Sequence, residues 1–273
     1  MYRKHFTSSL GWCLPFLAPF MALLALIASG PTRAVTPTVD AQVALAASDA
    51  IRNPTKPFSL EVVLTEYTDG KQTDTSTLQV YSRADAESGQ FRSLIRFQAP
   101  ARDANKLMLK SGNDLWFFDP ASKASVRISP QQRLLGQAAN GDVVTVNMAK
   151  GYQATLEGED TVQDGDRQRR LCIKLNHLAK SSDMTYHRAE MWLDAQSNRP
   201  VKARFYSESN SLLKTAFYRA YRAELGAERP TQVVIIDGLN PKWVTVMHYG
   251  AFSLRDIPEA WMQREYLPRF KPE

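Results

Sequence analysis

The sequence predicts a mainly β fold, one curved antiparallel sheet of about ten or eleven strands with short helices over its apolar face. Two observations favour it. From Phe58 onward, apolar and polar residues alternate with a period of two, and turn pairs such as Asp69-Gly70 recur at regular intervals. The chain also lacks the strand-helix-strand rhythm of a parallel α/β protein. Strands of this kind have one face in water and the other covered.

The first predicted element is a helix over residues 41–52. This segment is rich in Ala, Thr38 or Asp40 can cap its start, and Asn53-Pro54 ends it. The strands that follow have their apolar residues on one face. Clear examples are Leu60/Val62/Leu64, Leu78/Val80, Phe91/Ile95/Phe97 and Val201/Ala203/Phe205.

Three later segments depart from the strand pattern. Ser129 followed by Pro130 predicts a short helix that reaches Leu135, because Pro is favoured at the first helical position. A second short helix is expected over Asp142–Lys150, although Val143–Val146 has strong strand preference. The tail Ser253–Tyr266 also has helical spacing. We expect these helices to lie over the apolar face of the sheet.

Residues 1–34 have the three-part pattern of a cleaved signal peptide. Basic residues Arg3 and Lys4 precede an uncharged stretch, and Thr32-Arg33-Ala34 offers small residues at a cleavage site. The alternative is a retained membrane anchor, but the apolar run is short and Pro15 and Pro19 interrupt it. The pattern predicts export to the periplasm and a single mature domain over residues 35–273.

Charge and cysteine content agree with an exported globular domain. The 34 Lys and Arg residues exceed the 28 Asp and Glu, but three of them (Arg3, Lys4 and Arg33) lie in the export signal, which leaves 31 against 28. This charge density excludes a nucleic-acid partner. The mature chain keeps only Cys172, so no intrachain disulfide is expected, and its strand-like surroundings predict a buried core thiol.

The sequence contains no motif for catalysis or for a cofactor. His177, His187 and His248 lack metal-ligand spacing, and no nucleophile elbow, phosphate loop or dinucleotide fingerprint is present. We therefore expect no metal, no cofactor and no enzyme activity. The enzyme alternative would be revived by a turnover that depends on one of these histidines.

Large apolar residues occupy both faces of some strands. The clearest runs are Leu115-Trp116-Phe117-Phe118, Glu190-Met191-Trp192-Leu193 and Trp243-Val244-Thr245-Val246-Met247. Two explanations fit this pattern equally well. The strands are packed on one side and covered by a helix on the other, or they line a hydrophobic cavity beneath a helical lid.

The order of several segments resembles the outer-membrane lipoprotein-sorting protein family, the LolA-like periplasmic carriers. The resemblance extends over about residues 59–252. It lies in Asn105–Lys110 with Gly112–Pro120, in Val126–Arg133, in Glu190–Asp194 with Arg199–Lys202, and in Ser211–Tyr221 with Arg229-Pro230. One segment departs from the family, because Gly141–Val146 stands where many relatives have an acidic stretch.

The resemblance implies an unclosed half-barrel whose concave side is covered by helices. It also implies a non-enzymatic chaperone that carries lipoprotein acyl chains or a related lipid from an inner-membrane donor to an outer-membrane acceptor. On this basis we expect a monomer. The residues expected to face the cavity are Leu107, Leu109, Leu115, Phe117, Ile128, Met191, Leu193 and Phe205.

A lid and a polar contact site complete this expectation. Leu134, Leu135 and Met148 are assigned to the lid, and Arg127 and Arg133 to a head group or a donor protein. Two alternatives remain open. One is a periplasmic regulatory module that acts through a protein partner, and the other is an accessory lipid-binding partner of an inner-membrane lipid exporter.

Overall fold

The computed structural model describes residues 39–271. Its first element is helix α1 (Ala41–Arg52), as the sequence predicts. The Asp40 carboxylate caps the helix, because it accepts hydrogen bonds from the backbone N–H groups of Gln42 (2.8 Å) and Val43 (3.1 Å). Of the two predicted caps, Asp40 is therefore the one that is used. The predicted signal peptide lies outside the described residues.

Fifteen strands follow α1 in the described part of the chain. They are β1 (Phe58–Thr68), β2 (Lys71–Ala84), β3 (Phe91–Ala99), β4 (Leu107–Ser111), β5 (Asp114–Asp119), β6 (Ala124–Arg127), β7 (Arg133–Leu135), β8 (Ala138–Ala139), β9 (Tyr152–Gln163), β10 (Arg169–Ala179), β11 (Arg188–Asp194), β12 (Pro200–Tyr206), β13 (Leu212–Glu224), β14 (Ala227–Asp237) and β15 (Trp243–Leu254).

Thirteen of these strands form one antiparallel sheet in the order β6-β5-β4-β3-β2-β1-β15-β14-β13-β12-β11-β10-β9. Strands β6 and β9 are its two ends and do not pair with each other, so the sheet is unclosed. This confirms the predicted fold class. The strand count exceeds the expected ten or eleven, because the region from β4 to β6 is divided by tight turns into short hairpins.

The segment between β6 and β9 is less helical than the sequence predicts. The expected helix over residues 129–135 is instead a turn followed by β7, which pairs with β8. The expected helix over residues 142–150 is reduced to a 3₁₀ turn at Asn140–Asp142 and one turn of helix α2 (Met148–Gly151). The β-branched residues between these two turns account for the difference, since they disfavour a continuous helix. We call residues 128–151 the cap segment.

Both faces of the sheet are covered. On one side, the cavity face, α1 and the cap segment pack on a large cluster that includes Leu64, Leu78, Ile95, Leu175 and Met191. On the other side, the outer face, a smaller cluster joins the tail of the chain to β2–β5. Its members are Tyr81, Leu94, Leu107, Leu109, Phe118, Ile257, Trp261, Met262 and Leu267.

The tail does not form the predicted helix over residues 253–266. Strand β15 continues to Leu254, and 3₁₀ turns follow at Glu259–Met262 and Arg264–Arg269. The ring of Trp261 meets that of Tyr81 edge-to-face, with the two centroids 5.4 Å apart. The tail therefore covers the outer face, whereas the sequence led us to expect it over the cavity face. In residues 39–271, no helix has the length and hydrophobicity needed to span a bilayer.

Candidate binding cavity

A cavity of about 160 Å³ lies between the sheet and the cap segment. Strands β1 and β12–β15 form its floor, and the cap segment and the loop before β11 form its roof. Its apolar lining residues are Leu60, Val144, Val146, Met148, Met184, Phe205, Ala216, Val233, Ile235, Met247 and Phe252. A lining of this kind is typical of a site for an apolar ligand.

The cavity wall also contains a buried ion pair. The ammonium group of Lys214, on β13, pairs with the carboxylate of Asp142, on the cap segment. The side chains of Lys214 and Asp142 are only 5% and 13% exposed. Asp142 also accepts hydrogen bonds from the Tyr186 hydroxyl (2.8 Å) and from the backbone N–H of Ala139 (2.7 Å). The carboxylate is thus held by three donors, two of which lie outside the cap segment.

A second cation reaches the cavity from the end of α1. Arg52 lines the cavity and pairs with Asp49 of the same helix, and its Nε atom has no hydrogen-bond partner in the described chain. Tyr218, on β13, and Tyr249, on β15, also line the cavity, and burial raises the pKa of both hydroxyls. Both tyrosines therefore stay neutral, and the charge in the cavity comes from the two ion pairs.

Side chains make the hydrogen bonds that hold the middle of the cap segment on the sheet. Thr145 Oγ1 lies 2.6 Å from Ser82 Oγ, and its backbone N–H donates to Ser93 Oγ. The N–H of Gln137 donates to the Thr245 hydroxyl of β15 (2.7 Å). Lifting the cap segment would therefore not require breaking a strand ladder.

Helix α1 supports the cap segment from the side. The N–H of Ala149 donates to the Asp49 carboxylate (2.7 Å), and Asn53 Nδ2 donates to the carbonyl of Val146 (2.9 Å). Arg229, buried on β14, donates in turn to two carbonyls at the end of α1. This arrangement fixes α1 on the sheet and makes it the support against which the cap segment closes.

The cavity is small for a lipid in this conformation. An apolar cavity of about 150 Å³ accommodates a ligand as small as benzene. A long acyl chain would therefore need extra space, which displacement of the cap segment can supply. Gly141 shows how tightly that segment is seated, because a Cβ atom at this position would lie 2.8 Å from Cβ of Thr185.

A LolA superfamily protein from Nitrosomonas europaea is similar to this chain at 31% identity. The match covers 84% of this chain and 100% of the other, with a TM-score of 0.75. The chain belongs to the LolA superfamily. A family model described as "Uncharacterized protein" also matches residues 89–269, and no curated protein matches.

Two further solved structures share the LolA superfamily fold with this chain. A putative outer membrane lipoprotein-sorting protein domain from Vibrio parahaemolyticus has 17% identity and a TM-score of 0.71, over 84% of this chain and 98% of its own. A DUF1329 family protein from Desulfovibrio piger has 21% identity and a TM-score of 0.70, over 83% and 97%. At these sequence identities, the comparison shows a shared fold and nothing further.

Several predicted cavity residues lie on the cavity face of this LolA superfamily fold. Phe205 lines the main cavity, and Leu115 lines a neighbouring cavity of about 250 Å³ near Gln90 and Met184. Four more of the predicted residues belong to the cavity-face cluster or pack against it without lining the main cavity. They are Phe117, Ile128, Met191 and Leu193.

Leu107 and Leu109 lie elsewhere, and here the expectation needs correction. Both belong to the outer-face cluster, whereas Met108 between them faces the cavity side. The register explains this, because Met108 pairs with Phe117 and Leu109 pairs with Trp116. Paired residues of adjacent strands share a face, so Leu109 could not share one with Phe117.

The predicted lid residues all lie in the cap segment. Met148 is buried and lines the cavity, and Leu134 and Leu135 pack partly buried on the cavity-face cluster. The two predicted contact arginines do not line the main cavity. Arg127 is exposed and pairs with Asp114 (2.7 Å), and the guanidinium carbon of Arg133 lies 5.6 Å from the centre of the Trp243 ring.

The sequence interpretation missed the polar residues of the cavity. The sequence does contain a signal for Lys214, because it alternates along β13 with Ala216 and Tyr218 and faces the cavity as they do. A charged residue on the apolar face of a strand indicates a buried partner or a ligand. Its partner Asp142 follows Gly141 in the cap segment, and the sequence offers no spacing that connects the two residues.

The cysteine and the three histidines considered as candidates for chemistry lie either in the packed core or on the surface. Cys172 is fully buried with Trp192 and Val201, and burial raises the pKa of its thiol to about 11. This confirms the predicted core thiol. His177 is fully buried on β10, and His187 and His248 are exposed. Among the residues that the structure describes, no cluster of His, Cys, Asp or Glu is placed to hold a metal ion.

Proposed function

We propose that this protein carries a lipid or the acyl chains of lipoproteins through the periplasm. One observation above all supports the proposal, an apolar cavity closed by a cap segment that side-chain hydrogen bonds hold on the sheet. Such a cap can open and close without disturbing the sheet. Membership of the LolA superfamily and the predicted signal peptide support the same function.

The physical reason for a container is the cost of exposing an acyl chain to water. Burial stabilises each methylene group by about 0.8 kcal/mol, so a long chain does not cross an aqueous compartment unaided. A carrier must also release its cargo. A container with a movable wall does this without breaking covalent bonds, and in this proposal an inner-membrane donor loads it and an outer-membrane acceptor empties it.

Blocking the cavity should abolish lipid binding. Ala216 lies in the cavity floor and is 2% exposed, so A216W fills the space that an acyl chain would occupy. We expect at least a tenfold loss of affinity for a fluorescent fatty acid, measured by titration, with a stability cost of about 1–3 kcal/mol from overpacking. The matched control is A223W, at an exposed position of the same strand, which should bind like the wild type.

The same experiment separates the carrier from a module that acts only through a protein partner. If the cavity serves only as packed core, the wild-type protein will ignore the probe at every concentration. Equal binding by wild type and A216W, with both proteins folded by circular dichroism, would place the probe outside the cavity and contradict the proposal.

A further inference from the structure

We propose that the cargo has a carboxylate head group, which replaces Asp142 on Lys214 when the cap segment opens. This inference rests on the proposed function and specifies the class of lipid. Its starting point is that the cavity is not uniformly apolar, since two cationic side chains reach it among walls of Val, Met and Phe. Neutral acyl chains alone would not require either cation.

The two partners of the buried ion pair belong to different parts of the molecule. Lys214 is on β13 in the middle of the sheet, and its ammonium group is 4.8 Å from the centre of the Tyr186 ring. Asp142 is on the cap segment. When that segment moves away, Lys214 stays in the cavity wall and loses its carboxylate. A buried charge without a partner is strongly unfavourable, so opening an empty cavity is opposed.

A ligand carboxylate can remove this penalty. Asp142 shows that the wall accepts such a group, because Lys214 Nζ and the Tyr186 hydroxyl both bind its carboxylate oxygens. Neither donor belongs to the cap segment, since Lys214 is on β13 and Tyr186 is in the loop before β11. An amphiphile whose chain enters the cavity and whose carboxylate takes the position of Asp142 would therefore stabilise the open state. Ligand binding and opening of the cap segment are then linked, because the ligand carboxylate replaces the Asp142 carboxylate on Lys214.

Arg52 is the second cation that lines the cavity. It pairs with Asp49, but its Nε atom has no partner within residues 39–271. Asp49 also accepts a hydrogen bond from the N–H of Ala149 in the cap segment, and opening of that segment would break this bond. Each cation therefore pairs with a carboxylate that also holds the cap segment.

The test compares an anionic and a neutral probe with the same acyl chain, cis-parinaric acid and its methyl ester, at pH 8. We expect the wild type to bind the acid roughly tenfold or more tightly than the ester, because a hydrogen-bonded ionic contact contributes more than a neutral one. D142N, which removes the competing carboxylate, should bind the acid more tightly than the wild type. The double variant K214M/D142N removes both charges of this pair, leaves the Arg52–Asp49 pair in place and should lose most of the preference for the acid.

The outcomes distinguish this inference from the proposed function. Equal binding of acid and ester by the wild type, or the same preference in K214M/D142N, would overturn the carboxylate assignment and leave the carrier intact. Binding of neither probe would overturn both. Circular dichroism confirms that each variant is folded, and D142N keeps Lys214 in place, so the test does not depend on the double variant alone.

Discussion

Replacing Asp142 by Ala should lower the free energy of unfolding by about 3–5 kcal/mol. The substitution removes the carboxylate that Lys214, Tyr186 and the Ala139 N–H group all contact. Removing one partner of a buried ion pair leaves the other charge uncompensated, which is the origin of this large cost. Urea denaturation followed by circular dichroism measures it.

Two further variants show whether the cost comes from the unpaired ammonium group. D166A removes one partner of the more exposed Asp166–Arg219 pair and should cost less than about 1 kcal/mol. K214M/D142A removes both charges and should recover most of the stability lost in D142A. A D142A protein within 1 kcal/mol of the wild type would show that the ion pair does not hold the cap segment in place.

Lowering the pH from 7 to below 4 should cost about 3 kcal/mol of stability through His177 alone. This residue is fully buried, neither ring nitrogen has a hydrogen-bond partner among the described residues, and burial, followed by the nearby Arg52, lowers its pKa to about 4. The unfolded chain has the ordinary histidine pKa of about 6.5 and takes up the proton first. The stabilisation is therefore complete above pH 6.5 and is lost as the pH falls towards 4.

The variant H177L isolates this effect from the carboxylates that titrate in the same range. Leucine has no polar atoms to leave unpaired, so H177L should be at least as stable as the wild type at pH 7 and should lack the histidine part of the pH slope. H187Q, at an exposed position, should keep the slope. Chemical denaturation at pH 7, 6, 5 and 4 provides the comparison, and an unchanged slope in H177L would refute the assignment.

Local patterns in the sequence were enough to predict most of the fold. The Asp40 cap and the Asn53-Pro54 stop define α1, and the period-two alternation gives the strands and their apolar faces. Where both faces of a strand are apolar, as at Leu107-Met108-Leu109, periodicity cannot select the inner one. That choice depends on the tail around Trp261, which packs on the outer face and is distant in sequence.

The candidate site was less predictable, for a similar reason. Phe205 and Met148 are apolar residues on amphipathic elements, and that pattern is visible in the sequence. The Lys214–Asp142 pair joins residues 72 positions apart, one of them in an irregular segment. Nothing local in the sequence connects such residues, since only the closed cap segment brings them together.

Native mass spectrometry of the protein purified from periplasm without detergent shows directly whether it carries a lipid. We expect a wild-type species heavier than the mature chain by the mass of one lipid, which is released by solvent extraction and identified by fragmentation. A216W, prepared in parallel with A223W, should carry none, while A223W should retain the lipid. Wild-type protein that is folded and lipid-free, and that stays so after incubation with vesicles of the same membrane lipids, would contradict the carrier function.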